Sequence, residues 1–316
     1  MILKNHTIVE YFIIKGISDV PELQTSIFIL VLLIYLLTLG GNMIILLLVC
    51  LDHKLHTPMY FFLANLSVLD TFSTTVTLHN ILATFITGDN TISYAGCICE
   101  MYFFGFLICD ELLFLTAMSY DRYVAICNPL TYHMVMNYRL CIVLAISCWL
   151  LGMLEVIPYI ILLLGFTCYK SNVINHFFCD LVPLMILSCS DTSTLEILSL
   201  TEGLLLITFT PFLLKFISYI FIISTILKIH SSTGRRKAFY TCSSHLTVVI
   251  LLYSTLFFQY LRPTSLDTSK SNKFFSLFNT AAIPVLNPLI YSLKNKDVKS
   301  AMIRKLRLLK CSRTLT

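Results

Sequence analysis

Seven apolar runs, each long enough to cross a bilayer, dominate this chain and leave little else to fold. Ser26–Cys50, Met59–Phe85, Cys97–Tyr123 and Leu140–Leu163 are the first four, and Ile197–Leu227, Phe239–Leu261 and Lys273–Leu293 complete the set. A membrane helix needs about 20 apolar residues to span roughly 30 Å of hydrocarbon. Lipid offers the backbone no hydrogen-bond partners, so a spanning segment must be a helix or part of a closed barrel. Barrel strands alternate over about 10 residues, and these runs do not alternate. Composition agrees, because 57% of the 316 residues are hydrophobic and 12% charged, against about 25% charged in soluble domains. The expected fold is all-α: a seven-transmembrane helix bundle over residues 26–294, with an N-terminal segment 1–25 and a tail 295–316.

Residues 1–25 lack the basic start, apolar stretch and small-residue cleavage site of a secretory leader, so the first span is expected to act as its own insertion signal. Basic residues set the orientation. The tail carries Lys294, Lys296, Lys299, Arg304, Lys305, Arg307, Lys310 and Arg313 against Asp297 alone, and the loop between spans five and six adds Lys228, Arg235, Arg236 and Lys237. The C-terminus is therefore expected in the cytoplasm, the N-terminus outside, and the net charge of +5 reads as topology and not as a nucleic-acid patch. Asn5-His6-Thr7 is a glycosylation sequon on the expected outer side. A second, Asn65-Leu66-Ser67, lies inside span two and reads as a chance match. Cys97, Cys99, Cys168, Cys179 and Cys189 fall on the oxidising face; the other cysteines read as free thiols.

A charge in the bilayer interior costs about 2.5–3.5 kcal/mol even on lenient scales, so each one asks for an explanation. At about 1.5 Å rise per residue, Asp70 lies roughly 18 Å above Pro58 and Glu111 roughly 16 Å above Arg122. Two carboxyls on different helices thus share one level, with Asn42 and Asn287 slightly lower. One reading is interhelical hydrogen bonding that glues the bundle. The other is a small internal sodium or proton site, since paired carboxyls repel unless one is protonated or a cation lies between them. Above that layer Met101, Phe104, Gly105 and Ile108 recur at helical spacing on span three, and Tyr253, Leu256, Phe257 and Tyr260 do so on span six. Span seven adds Asn279 and Thr280. Such a face fits an apolar, aromatic-lined cleft for a small ligand, and equally fits plain packing.

Enzyme signatures are missing from the sequence: no H-E-x-x-H, P-loop, G-x-S-x-G or Cys/His cluster at metal spacing occurs. Pro158, Pro211, Pro284 and Pro288 bend helices and free backbone carbonyls, as a two-state bundle or a transporter with broken helices would use. A transporter or channel would need a continuous polar path, whereas here the polar residues form one layer and no repeat is evident. Beyond span seven, Val298, Met302, Leu306 and Leu309 fall on one face of a basic amphipathic helix suited to the inner leaflet. Cys311 beside it is either a palmitoylation candidate or a plain thiol. Asp121-Arg122, at the end of span three, is either a solvated helix end or a working pair.

Several longer motifs bear on that choice. They are Gly41-Asn42; L-H-T-P-M-Y-F-F-L-A-N-L-S-V-L-D from Leu55 to Asp70; M-S-Y-D-R-Y-V-A-I-C-N-P-L from Met118; Ser218-Tyr219; K-A-F-Y-T-C-S-S-H-L from Lys237; and P-V-L-N-P-L-I-Y-S-L-K-N from Pro284. From about Gly41 to Asn295 the chain resembles a rhodopsin-like G-protein-coupled receptor, specifically an odorant receptor. The resemblance implies disulfides Cys97–Cys179 and Cys168–Cys189, with Cys99 free. It implies a ligand site at Met101, Phe104, Gly105, Ile108, Gly203, Ile207, Tyr253, Leu256, Phe257, Tyr260 and Thr280. Asp70 and Glu111 match the family's sodium-site acids, in one layer with Asn42 and Asn287; no other cofactor is implied. Asp121, Arg122 and Tyr123, with Tyr219, His245 and Tyr291, match the switch that admits the G protein. The implied function is non-enzymatic: a plasma-membrane receptor that binds a small, mostly apolar odorant and activates a stimulatory heterotrimeric G protein to raise cyclic AMP. A receptor of the same fold for a non-odorant metabolite is the nearest alternative. Departures from the pattern include Ser119 for alanine, Tyr240 for serine and Ser254 for glycine. Lys215 and Asp110 are unusual charges, and Lys215 would either snorkel or pair with an acid across the bundle.

Overall fold

The computed structural model describes residues 9–18, 20–260, 268–294 and 296–313. Asn5 lies outside the described residues, as do the side chains of Tyr260 and Cys311. Helix α1 (Pro21–Leu51) leads to α2 (Pro58–Thr87), and each has proline in its first turn, where the missing N–H costs nothing. Gly88 ends α2 at φ 73°, the left-handed conformation that glycine adopts freely. Helix α3 (Tyr94–Cys127) starts under a Ser93 cap that accepts from Gly96 N at 3.1 Å. Helix α4 runs from Tyr138 to Glu155 and continues as Ile157–Leu164. In α5 the segments Ser193–Leu198 and Thr210–Leu227 flank a π-helical stretch, Ser199–Phe209. Helix α6 is Ser232–Tyr260. Helix α7 joins Thr268–Leu277, a π-helical turn Phe278–Ala282 and Ile283–Lys294, and α8 is Lys296–Arg313.

Six of these helices are long and apolar enough to cross a membrane. Helix α3 runs through their middle, packed on α2, α4, α5 and α6. The polarity of the bundle is inverted relative to a soluble protein. Leu33, Leu37 and Leu47 of α1 and Leu214 and Phe216 of α5 are exposed, while Asn42, Asp70, Asp110, Lys215 and Asn287 are each 2% exposed or less. With lipid as the solvent, it is the polar residues that must turn inward. Helix α1 shows the rule: its buried residues Val31, Thr38, Asn42, Ile45 and Leu48 form one stripe that holds its interior amide. Asn65, the sequon inside span two, accepts from Trp149 Nε1 at 3.1 Å and joins α2 to α4.

The all-α expectation needs one addition at the disulfide end. Strands β1 (Tyr11–Ile14), β2 (Thr91–Ser93) and β3 (Val173–Ile174) form a sheet in the order β2-β1-β3. Strand β1 pairs antiparallel to β2 and parallel to β3. Strands this short carry no readable period, and their partners come from three distant segments. Both implied disulfides form, each with a Cα–Cα separation of 5.4 Å, within the ordinary range. Cys99 is free and exposed.

At the other end, α8 docks on the α1–α2 turn through Val298 and Ala301, both buried, while Met302 is 37% exposed. Met302 is thus left on the open face expected to meet the leaflet, and the side chains of Leu306 and Leu309 lie outside the described residues. The small Ala301 permits close approach, and Arg304 reaches Asp52 with Nε at 3.2 Å and Nη2 at 2.5 Å. Arg304 holds the Asp52 carboxyl below its usual range.

Candidate ligand cavity, polar layer and switch

A cavity of about 710 Å³ opens between α3, α4, α5, α6 and the loop after α4. Met101, Phe104, Gly105 and Ile108 line it from α3, Gly203 and Ile207 from α5, and Tyr253, Leu256 and Phe257 from α6. Thr280 is not among the lining residues. It is fully buried in the π-helical turn of α7, where its hydroxyl donates to Ser276 O at 2.9 Å. The π-helical stretch of α5 forms one whole wall, including Ser199, Leu200, Leu204 and Thr208. Its wider turn shows in the side chains: Thr208 Oγ1 donates to Gly203 O at 2.8 Å and Thr210 Oγ1 to Leu205 O at 3.1 Å. Such segments recur at functional sites.

Two acids, Glu155 and Asp180, also line the cavity, an addition to the apolar, aromatic-lined cleft that spacing suggests. Glu155 closes the first segment of α4, and the Cys97–Cys179 disulfide pulls the neighbouring Asp180 over the cavity. Burial pushes the Asp180 carboxyl up to about 6, against a 2.8 Å hydrogen bond from Leu181 N. In the same loop, burial pushes His176 down to about 3.

Lys215 does not snorkel. It is 1% exposed, and its Nζ donates to Leu112 O at 2.8 Å and to the Tyr253 hydroxyl at 2.9 Å. The ammonium sits 4.9 Å from the Tyr253 ring centroid, within cation–π range. Its charge is also felt at Glu111. Asp110 is fully buried against Gly152, where any Cβ would collide with its carboxyl. Neither Asp110 oxygen has a hydrogen-bond partner among the described residues, and Glu155 is its electrostatic neighbour.

Below the cavity the expected polar layer assembles around α7. Pro288 has no N–H to give to Pro284 O, one turn earlier. Asn42 fills the vacancy from α1, donating to Pro284 O at 3.3 Å. Gly41 permits the approach, since a Cβ there would lie 2.9 Å from Pro288 Cγ. Asn287 donates to both Asp70 oxygens at 3.0 Å. The amides therefore do tie α1, α2 and α7 together. Asn42 Oδ1, Asn287 Oδ1, Ser67 Oγ and Glu111 Oε1 remain without partners among the described residues. Buried carboxylate and carbonyl oxygens with free lone pairs suit a hard cation. Among the described residues no three His, Cys, Asp or Glu side chains gather to hold a metal.

At the basic end of α3, Asp121 is fully buried and accepts from Tyr132 OH at 2.8 Å. Its Oδ2 lies 3.0 Å from Arg122 Nη2 yet accepts no aligned hydrogen bond, because successive helical residues do not face each other. Tyr219 and His245 share a 2.6 Å hydrogen bond across α5 and α6. Arg122 lies within electrostatic reach of Tyr219, His245 and the fully buried Tyr291. Tyr123 packs against the cluster that includes Tyr219, its ring 6.0 Å from Phe221 on α5.

A family model described as olfactory receptor matches residues 31–309. The chain belongs to the olfactory receptor family. It is 44% identical to olfactory receptor 6C1 of Homo sapiens over 305 residues, 96% of this chain and 97% of that protein. Olfactory receptor 5G9 of Mus musculus is 45% identical over 302 residues, 95% and 96% of the two chains. In three dimensions the chain resembles squid rhodopsin with a TM-score of 0.67 at 20% identity, over 92% of this chain and 87% of that one. This olfactory receptor is thus a multi-pass membrane receptor and not an enzyme.

Glu155 and Asp180 are the charged cavity residues that spacing missed, alongside uncharged ones such as Tyr159, Ser199, Thr208 and Phe212. An acid late in a long apolar run was a signal for Glu155. For Asp180 there was none, because the fold of the loop places it.

Proposed function

We propose that this olfactory receptor binds small, mostly apolar odorants in the α3–α6 cavity and activates a stimulatory heterotrimeric G protein, raising cyclic AMP. It does so in the plasma membrane, with segment 1–25 outside, 26–294 in the membrane and tail 295–316 in the cytoplasm. One observation carries the reading: α3 bears cavity residues Met101 and Ile108, the midplane Glu111 and the paired Asp121 and Arg122. A shift of that helix on ligand entry reaches the G-protein face without any intermediary. The clustered Lys and Arg of the tail support the orientation.

The polar layer would hold a sodium ion between the carboxylates of Asp70 and Glu111 and the free carbonyls of Asn42 and Asn287. When bound, the ion supplies the charge that lets both acids stay ionised in one arrangement of the bundle. Sodium should therefore alter the response of the receptor and leave Asp70→Asn indifferent; equal indifference in both proteins removes the ion from the account.

The deciding experiment is a cyclic-AMP reporter in cells that express this receptor and a stimulatory G protein, challenged with a broad odorant panel. Dose-dependent cyclic AMP is expected. Silence despite verified surface expression, or a ligand-evoked current without G protein, rejects the reading.

A further inference from the structure

The cavity has one polar device that general apolar binding leaves unused. Tyr253 lines the cavity, and Lys215 holds its hydroxyl from behind. A lysine ammonium offers three N–H donors and no acceptor, whereas a phenol has one proton and lone pairs to accept with. Lys215 gives one N–H to Leu112 O at 2.8 Å and another to the Tyr253 oxygen at 2.9 Å. The Tyr253 oxygen is thus an acceptor towards Lys215, and its own proton points elsewhere. The protein offers that proton Thr208 O at 3.4 Å, longer than the roughly 2.5–3.0 Å of a good O–H···O bond. Thr208 is itself a cavity residue. A hydroxyl that accepts from an ammonium is polarised into a stronger donor, so a residue lining the cavity carries an under-used donor.

We propose that Lys215, acting through Tyr253, makes this receptor selective for apolar ligands that carry a neutral carbonyl oxygen, such as ketones, aldehydes and esters. The inference rests on the cavity being the odorant site. Charge on the walls argues against an anionic ligand, and the Lys215 ammonium argues against a cation at Tyr253. A carboxylate would meet Glu155 and Asp180, which both line the cavity. An alkylamine at Tyr253 would bring a second cation against Lys215. A carbonyl oxygen takes the Tyr253 proton and adds no charge. Lys215 is 1% exposed and is not a lining residue, so it is a positioning residue that sets the hydroxyl direction without touching the ligand.

The test uses full-length receptor in nanodiscs, titrated with n-octane, 2-octanone, octylamine and octanoate while the unfolding midpoint is read. Wild type should bind 2-octanone about tenfold more tightly than n-octane, the worth of one good buried hydrogen bond. Tyr253→Phe, which keeps the ring, and Lys215→Met should each bring the ketone to parity with the alkane. Lys215→Gln, which keeps an N–H donor, should retain part of the preference. Parity in wild type, a ketone preference that survives Lys215→Met, or tighter binding of the amine or the acid overturns the proposal. If none of the four probes moves the wild-type midpoint, the cavity reading falls and takes this inference with it.

Discussion

The two ends of α3 are held by different kinds of bond. At the cavity end the constraints are covalent or sheet-like: Cys97–Cys179 and Cys168–Cys189 pin the loop, and β1 stitches the N-terminal segment to β2 and β3. At the basic end the constraints are single hydrogen bonds, Tyr132 to Asp121 at 2.8 Å and Tyr219 to His245 at 2.6 Å. The core between them is tight, with Phe114 and Leu115 fully buried. A site that must keep its shape for a ligand is stapled. A face that must change shape for a partner is latched by contacts worth about 1 kcal/mol each.

The comparison breaks most violently at the staple. Cys179→Ser should abolish surface receptor in flow cytometry, because losing a native disulfide costs about 2–5 kcal/mol. Next in size is the basic end. Arg122→Ala should keep ligand-induced thermal stabilisation and lose at least about tenfold in cyclic-AMP response, a change of about 1.4 kcal/mol. Equal signalling by this variant and wild type would make the pair a solvated helix end.

The latch itself gives a smaller effect of opposite sign. Asp121→Ala should raise basal cyclic AMP several-fold, and Tyr132→Phe should raise it less, having lost one hydrogen bond of about 1 kcal/mol. No change in basal signal for either would mean that Asp121 restrains nothing.

The smallest effect tests the loop over the cavity. Asp180 titrates near 6 when folded, above the usual value of about 3.9, so the folded state binds its proton more tightly. The stability this proton supplies is complete below about pH 4 and is lost as pH rises through 6. Asp180→Asn, which keeps the cap on Leu181, should therefore raise the unfolding midpoint at pH 7 by on the order of 2–4 °C and change little at pH 4. His176 runs the other way: its folded value near 3 means that stability is lost as pH falls from about 6.5 towards 3. An identical midpoint difference for Asp180→Asn at both pH values would show that the carboxyl is not buried in solution.

Hydropathy placed six of the seven expected spans among the described helices, α3 being the exception, because lipid acts on each residue locally. The α3 face was also legible, since one helix with a known rise carries Met101, Ile108, Glu111 and Arg122 in fixed phase. Residues whose position depends on a second segment were not. Thr280 belongs to a π-helical turn, which shifts the phase of everything beyond it. Asp180 follows its disulfide. Strand β1 has partners in two loops distant from it in the chain.

Lys215 divides the two kinds of information most clearly. From the sequence alone it is a charge within an apolar run, with snorkelling and pairing both open. Only the packed bundle sets its ammonium between Leu112 O and the Tyr253 hydroxyl. Burial in lipid is a one-residue property that composition reports. The partner of a buried polar group is set by the rotation of a neighbouring helix, and only the tertiary structure fixes that.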